Sequence, residues 1–241
     1  MESQEYDRMY RLEGSYWWFV GRHDLVKRML RRHGVLRPDA RVLDLGCGTG
    51  AMSVALGSQC HVVSADLSPL ALSYSARRGI KSLCAADAQR LPFADHSFDG
   101  VIALDILEHL PDDAASAREI CRVLKPGGRV VITVPAYQSL WSGHDLALMH
   151  QRRYVASEVR ALFEAAGLRV RKLSYAMAFL YPVVWFVRRL TAARTKQEAT
   201  LVPVPAWANA VLAGLLRAEN GAICAADLPF GVTVLCVGEK A

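Results

Sequence analysis

A glycine-rich segment that directly follows an acidic residue is the clearest candidate for a ligand site in the sequence. Residues 42–50 read VLDLGCGTG, so Asp44 stands within an apolar run and glycines follow at 46, 48 and 50. Glycines allow a sharp turn and the close approach of a ligand, and a helix that follows offers free N–H groups. The spacing differs from the glycine motifs of nicotinamide folds and of nucleoside triphosphatases. The segment therefore indicates another class of ligand.

Two further acidic residues follow the next two apolar runs. Asp66 ends the run that begins at His61, and Asp87 follows the run at 81–85. The carboxyl ends of parallel strands meet at one edge of a sheet, so these side chains should lie near the glycines. Asp66 has two oxygens for the two hydroxyls of a ribose, and Asp87 is placed to accept from an adenine amine. Because carboxylates repel phosphates, we expect an adenosine with little or no phosphate.

The elements that must position these residues alternate between short apolar runs and helical patterns. The runs at 41–45, 61–65, 81–85, 100–104 and 129–134 predict a parallel sheet buried on both faces. Ser68-Pro69 and Pro111-Asp112-Asp113 are typical of helix starts, and Lys125 to Gly128 of a helix end. After residue 150 the pattern predicts a helix from Ser157, as its N-cap, to Gly167, and strands at 168–175 and 231–238.

In these segments the sequence resembles the class I S-adenosylmethionine-dependent methyltransferases. The matching pieces, at 42–50, 64–69, 86–93, 98–109 and 122–132, occur in the expected order. The resemblance implies an α/β fold with a Rossmann-like, seven-stranded, mixed but mostly parallel sheet and helices on both faces. It also implies one domain over 1–241, with a helical cap (1–33), a cofactor-binding core (34–175), a helical roof inserted before the last strand (176–230) and that strand (231–241).

The resemblance also implies the cofactor, S-adenosyl-L-methionine, and the residues that hold it. The glycine loop would bind the methionyl part, Asp66 the ribose, and Asp87 with Ala88 the adenine. Leu104, after the fourth strand, would line the methionine site through its backbone. The predicted cofactor-binding residues of the core are Asp44, Gly46, Cys47, Gly48, Gly50, Asp66, Leu67, Asp87, Ala88 and Leu104.

A dense aromatic cluster occurs before the core, at residues 16–19. Neighbouring aromatic residues cannot share one helix face, so at least one should cover something other than the core. Family members with a similar opening use this helix as a cap. Trp17 or Trp18 would then contact the methionyl chain or its sulfonium, and Arg22 its carboxylate. The alternative is simple packing of the first helix onto the sheet.

Candidate catalytic residues follow the fourth and fifth strands. Asp105 and His109 come directly after the fourth strand, and His144 and Tyr154 lie in a polar and aromatic stretch after the fifth, with Asp145 and His150 nearby. Each has a structural alternative as a hydrogen-bonding residue. We expect no metal, because the histidines lack the spacing of a metal motif and this superfamily does not need one unless a catechol is the substrate.

Composition limits the partners. With 52% hydrophobic and 22% charged residues the chain should form a packed globule. The net charge of +6 comes from short clusters, so we expect no nucleic acid as partner. The cysteines lack the spacing of a paired motif and are interpreted as reduced thiols, and the first residues are polar. Together these two features predict a cytoplasmic protein. The apolar stretches 179–190 and 204–216 are too short to span a bilayer; they either roof the site or form a surface for lipid or a second subunit.

The expected reaction is alkyl transfer from S-adenosylmethionine, mainly methyl transfer to an O, N or C nucleophile of a small molecule or natural-product intermediate, and a lipid-like substrate fits as well. A sulfonium is already activated, so orientation and desolvation suffice without a strong base. The alternatives are cyclisation of S-adenosylmethionine to azetidine-2-carboxylate with release of methylthioadenosine, and a non-catalytic cofactor-binding module. The acceptor and the oligomeric state stay open at this point.

Overall fold

A single mixed sheet organises the chain in the computed structural model, which describes residues 3–191 and 203–241. Its strands lie in the order β3-β2-β1-β4-β5-β7-β6, with β7 antiparallel to both β5 and β6 and the other neighbours parallel. The predicted seven-stranded, mostly parallel sheet is thus confirmed. The strands are β1 Arg41–Leu45, β2 His61–Asp66, β3 Leu83–Ala85, β4 Phe98–Leu104, β5 Leu124–Pro135, β6 Leu168–Ala176 and β7 Thr233–Lys240.

Helices cover both faces of the sheet. They are α1 Ser3–Leu12, α2 Trp17–Arg32, α3 Ala51–Leu56, α4 Pro69–Arg77, α5 Asp113–Val123, α6 Gly143–Ala147, α7 Ala156–Ala165, α8 Tyr181–Thr191 and α9 Ala206–Ala225. Single 3₁₀ turns lie at Leu107–His109, Gln138–Leu140 and Ala178–Leu180. On one face Ile120 of α5 and Phe163 of α7 pack on the sheet, and on the other Met29 of α2 and Ile223 of α9 do so.

Two of the three predicted helix starts are confirmed in detail. Ser68 Oγ accepts from the N–H of Ala71 at 3.3 Å, and Asp112 Oδ1 accepts from Ala115 N at 2.8 Å. The prediction of Ser157 as an N-cap is wrong, because α7 already begins at Ala156. Val155 is the N-cap residue there, and Glu158 Oε2 accepts from its backbone N–H at 2.8 Å.

The range 1–33, predicted as a cap, contains two helices with different surroundings. The α2 residues Leu25 and Leu30 are at most 2% exposed and belong to the core beside β1. A Cβ on Gly21 would lie 2.2 Å from Leu216 Cδ1, so α2 and α9 approach closely at a position that has no room for a side chain. The α2 helix is therefore part of a core layer, and the role of a cap over the site stays a prediction for α1.

The predicted roof is described except for residues 192–202, which lie outside the described part of the chain. Within that part, no helix has both the length and the apolarity needed to cross a membrane. Apolar side chains of α8 and α9 contact Trp17 and Leu140, and others point outward. The exposed ones on these two helices are Val183, Trp185, Phe186, Val187, Leu190, Trp207, Val211 and Leu215.

Candidate active site

The glycine loop turns between β1 and α3 as its sequence predicts. Gly46, Gly48 and Gly50 have φ of 72°, 55° and 82°, values that residues with a Cβ rarely adopt. At Gly50 a Cβ would also lie 2.7 Å from Ser75 Oγ. The N–H of Gly46 donates to the carbonyl of Ala65 at 2.8 Å, so the loop folds back onto the end of β2. Its backbone amides therefore lie at the carboxyl edge of the sheet.

Asp66 at the end of β2 is fixed by backbone amides. Its Oδ2 accepts from Gly48 N and its Oδ1 from Ser68 N, both at 2.9 Å. Burial raises the pKa of Asp66, and these hydrogen bonds act in the opposite direction. A carboxylate has about four acceptor positions, so about two remain for an adjacent diol. Next to it Leu67 is 70% exposed, an apolar surface suited to a flat ring.

Asp44 lies beneath the glycine loop and is 2% exposed. Ser53 Oγ donates to its Oδ2 at 2.5 Å, and Ser53 is itself hydrogen-bonded to Ser64. Burial raises the pKa of Asp44 to about 7, with smaller contributions from the charges of Glu13 and Asp66. A carboxyl with such a pKa changes its charge readily when a cation arrives.

The loop after β3 completes this edge. Asp87 Oδ1 accepts from the N–H of Gln89 at 2.8 Å, and Ala88 is 4% exposed. The N–H of Ala86 donates to the carbonyl of Asp66 at 3.1 Å and ties the two strand ends together. Cys47 is buried, and burial raises the pKa of its thiol, which makes a thiolate nucleophile unfavourable there. The acids at 44, 66 and 87 thus share one edge with the glycines.

The α1 helix is connected to the glycine loop by a polar network that was not predicted from the sequence. Glu13 Oε2 accepts from Thr49 Oγ1 and from Arg78 Nη2. Arg78 also donates from Nε to the carbonyl of Thr49 at 2.7 Å and from Nη2 to that of Tyr10 at 2.8 Å. The aromatic spacing of Tyr6 and Tyr10, whose rings meet that of Tyr74 on α4, was the available signal.

The aromatic cluster packs between α2 and the roof. Trp17 is 8% exposed; its backbone N–H donates to Asn209 Oδ1 at 2.8 Å, and among the described residues its indole N–H has no partner. The Trp18 ring meets Trp17 edge to face at 5.7 Å and is only partly buried. Trp17 therefore packs against α9, whereas the alternative considered from the sequence was packing of the first helix onto the sheet. A cofactor contact remains a prediction for both residues.

The end of β4 is linked to α2. Asp105, with a φ of 52°, accepts from Arg22 through Oδ2 and from Thr133 Oγ1 through Oδ1 at 2.9 Å. Arg22 thus binds a carboxylate of the chain, where the sequence predicted the carboxylate of the cofactor. Leu104 directly precedes this pair and is half-buried. The ion pair places two predicted site residues in contact at the carboxyl edge.

The candidate catalytic residues after β5 belong to a buried polar cluster. Asp145 Oδ1 accepts from Arg153 Nε at 2.7 Å and from His150 Nδ1 at 3.0 Å. Burial opposes its ionisation, but these partners lower the pKa of Asp145 overall. Burial lowers the pKa of His144 to about 4, which keeps the imidazole neutral.

Tyr154 is buried, and His109 is partly buried. The Tyr154 hydroxyl donates to Asp113 Oδ2 at 2.7 Å, and burial together with this bond raises the pKa of Tyr154. Burial and His150 lower the pKa of His109 to about 4. Tyr154 thus connects the segment after β5 to α5, whereas His109 lies against His150, with ring centres 4.8 Å apart. Their catalytic roles remain predictions.

Comparisons with known proteins agree with this arrangement. A family model described as "Methyltransferase domain" matches residues 43–132. An O-methyltransferase of Aspergillus nomiae is 32% identical over 190 residues, which cover 64% of this chain and 84% of the relative. The chain belongs to the class I S-adenosylmethionine-dependent methyltransferases.

Other relatives of this class I methyltransferase match a smaller part of its sequence. A demethylmenaquinone methyltransferase of Mycolicibacterium vanbaalenii is 40% identical over 114 residues, 47% of this chain and 50% of the relative. The chain thus matches about half the length of that relative. Among solved structures, a Haloferax volcanii methyltransferase in complex with the Trm112 methyltransferase activator is similar to this chain, with 25% sequence identity and a TM-score of 0.63. The match covers 99% of this chain and 93% of the matching chain in the complex.

Proposed function

We propose that the protein transfers the methyl group of S-adenosylmethionine to an oxygen, nitrogen or carbon nucleophile of a small molecule. The observation that carries this proposal is the carboxyl edge of the sheet, where the glycine loop, Asp66 and the buried Asp44 come together. Asp66 offers free acceptor positions for the ribose, and Asp44 a carboxyl that ionises readily beside the cationic methionyl part. Carboxylates at this edge also favour a sulfonium over a phosphorylated nucleotide.

The roof indicates the kind of acceptor. Tyr137, which follows β5, stacks on Tyr175 at 5.0 Å and meets Tyr181 of the roof at 5.4 Å. These aromatic side chains lie on the same side of the sheet as the strand ends, and they favour an acceptor with an apolar or aromatic ring. One group of relatives consists of demethylmenaquinone methyltransferases, and their name describes an acceptor of this kind. We therefore propose a ring-bearing small molecule, including a natural-product intermediate, methylated in the cytoplasm.

Methyl transfer requires little of the protein beyond positioning. The nucleophile attacks the methyl carbon opposite the sulfur, the S–CH₃ bond breaks, and S-adenosylhomocysteine leaves as a neutral thioether. When the nucleophile is a hydroxyl or amine, its proton passes to water. Exclusion of bulk water by α1 and the roof would strengthen the electrostatic contacts to the sulfonium.

A product assay tests the proposal. The protein is incubated with S-adenosylmethionine alone and with each member of a set of quinols, phenols and amines, and the products are identified by mass spectrometry. S-adenosylhomocysteine together with a methylated acceptor, formed only when an acceptor is present, is the expected result. Enzyme-dependent methylthioadenosine from the cofactor alone would instead identify a cyclisation and overturn methyl transfer. No turnover with any acceptor, despite cofactor binding, would contradict an enzymatic role.

A further inference from the structure

A buried carboxylate stands without a partner beside the candidate active site. Glu108, in the 3₁₀ turn after β4, is 0% exposed, and neither of its carboxylate oxygens has a hydrogen-bond partner among the described residues. Isolated carboxylates are costly to bury, so such a group is normally protonated or bound to a cation. Burial accordingly raises the pKa of Glu108 well above its usual value. Glu108 is therefore expected to be either protonated or bound to a cation.

Two imidazoles lie against the same carboxylate. His150 Nε2 is 3.9 Å from Glu108 Oε1, and the rings of His109 and His150 meet at an angle of 82°. One donor atom from each of the three side chains lies within 4.8 Å of the other two. Gln151 holds the two segments together, because its N–H donates to the Glu108 carbonyl and its Nε2 to the His109 carbonyl, both at 2.8 Å.

The surrounding hydrogen bonds orient these imidazoles as they do in metal sites. His150 Nδ1 is 3.0 Å from Asp145 Oδ1, so the proton belongs on Nδ1 and the lone pair of Nε2 faces Glu108. Asp145 is fixed in turn by Arg153 and by the N–H of Ser142 at 2.9 Å. His109 has a hydrogen bond with the Met149 backbone, which leaves its other ring nitrogen available.

From this geometry we propose that Glu108, His109 and His150 form a binding site for one divalent transition-metal ion of the Zn²⁺ type. Two histidines and a carboxylate are a ligand set of zinc enzymes that keep a coordination position open. Mg²⁺ and Ca²⁺ prefer oxygen ligands, so the imidazoles favour the softer ions. The cation would neutralise Glu108, and Asp145 would act as the outer partner of His150. This differs from the expectation of no metal that the histidine spacing gave.

The site also extends the proposed methyl transfer, and this part rests on that function. Glu108 follows Asp105 by one turn, in the segment directly after β4. A hydroxyl of the acceptor in the open coordination position would release its proton to water more easily. Its oxygen would then form the new bond to the methyl carbon as the S–CH₃ bond breaks.

Metal titration of the full chain after chelation tests the site. Zn²⁺ is added in a calorimeter, and Co²⁺ is added as a visible-absorption probe; one ion per chain is expected. We expect Glu108→Gln and His109→Gln to lower Zn²⁺ affinity at least roughly 100-fold, and Asp145→Asn about 10- to 100-fold. His61→Gln, an exposed histidine at the start of β2, is the matched control and should bind like the parent.

Several outcomes would overturn the site. They are the absence of Zn²⁺ and Co²⁺ binding to the parent chain, binding unaffected by Glu108→Gln, and equal losses in His61→Gln. Circular dichroism and S-adenosylmethionine binding of each variant show that it is folded. Cofactor binding without metal binding overturns the metal site alone, whereas metal binding without methyl transfer to any acceptor overturns the proposed function alone.

Discussion

Arg22 of α2 forms an ion pair with Asp105, the residue directly after β4. The side chains are 12% and 29% exposed, and Thr133 Oγ1 donates to the second oxygen of Asp105. The pair joins a helix near the start of the chain to the edge where the candidate site lies. Both residues are predicted to act at that site, so we expect the contact to couple the stability of α2 to cofactor binding.

A double-mutant cycle measures this link. Arg22→Met and Asp105→Asn should each lower the free energy of unfolding by roughly 1.5–3 kcal/mol, the range for hydrogen bonds to charged groups. The double variant should lose less than the sum, because both changes remove the same contact. Denaturant unfolding gives the values. If Arg22 moves to the cofactor carboxylate, the coupling energy between the two residues should be smaller when S-adenosylmethionine is present. Additive losses in the free protein would show that the ion pair contributes nothing to stability.

Asp66 should be required for cofactor affinity and not for folding. We expect Asp66→Ala to weaken S-adenosylmethionine binding by roughly 1.5–3 kcal/mol, since charge-assisted hydrogen bonds to the ribose are lost. Calorimetric titration measures the affinity, and Asp39→Ala, at an exposed position before β1, serves as the control. Unchanged affinity in a folded Asp66→Ala variant would remove Asp66 from the site.

Cofactor binding should release a proton from Asp44. With a pKa of about 7 in the free chain, Asp44 is mostly protonated at pH 6, and the cationic methionyl part should ionise it. Affinity should therefore rise as the pH increases through 7. Titrations in buffers of different ionisation enthalpy count the released protons, and Asp44→Asn is the reference. Equal proton release by the parent and by Asp44→Asn would assign the proton to another group.

The raised pKa of Asp44 should also make the free energy of unfolding depend on pH, in the direction opposite to that of cofactor affinity. An unfolded Asp loses its proton near its ordinary value of 3.8, whereas the folded Asp44 keeps it to about 7. Between these values the folded state binds more protons, so the contribution of Asp44 to stability falls as the pH rises. Unfolding curves of the parent and of Asp44→Asn, measured across this range, should show that the free energy of unfolding falls more steeply with pH in the parent, and the difference between the two slopes is the contribution of Asp44.

The sheet could be predicted because each strand is marked by residues within or next to its own segment of the sequence. Each strand from β1 to β5 is an apolar run that ends in a glycine, acid or proline, and Ser68 and Asp112 are caps that lie within their own turns. Lys125 to Gly128 shows the limit of local reasoning. The segment follows the end of α5 at Val123, as predicted, yet it also lies in β5, where the pairing with β4 changes register between Phe98 and Gly100.

Contacts between distant segments could not be predicted in the same way. Glu13 meets Thr49 and Arg78, and Glu108 meets His150, yet no spacing in the sequence connects these residues. Each pair depends on the packing of α1 or of the segment after β5, and a polar side chain in a loop is usually solvated. The placement of the acids and glycines at one edge of the sheet could therefore be predicted, whereas the contacts of α1 and the cluster around Glu108 required the structure.

The cap should respond to the cofactor in α1 and not in α2. Residues Leu25 and Leu30 of α2 are fully packed in the core, whereas α1 is held by the Tyr74 ring and by Arg78. Helices with few buried apolar contacts open with lower free energy. Hydrogen exchange should therefore show that S-adenosylmethionine increases the protection of α1 and leaves α2 unchanged.

The Arg78 contacts provide the variant for this experiment. Arg78→Met removes the donors to Thr49, Tyr10 and Glu13, so α1 should exchange faster in the free protein and regain only part of its protection with cofactor. Arg217→Met, at an exposed position on α9, is the control for the loss of a charge. If α1 is equally protected with and without S-adenosylmethionine, the helix is static scaffold and does not close over the cofactor. If instead α1 and α2 gain protection together, the cap acts as one unit, and the division between a core helix and a covering helix is wrong.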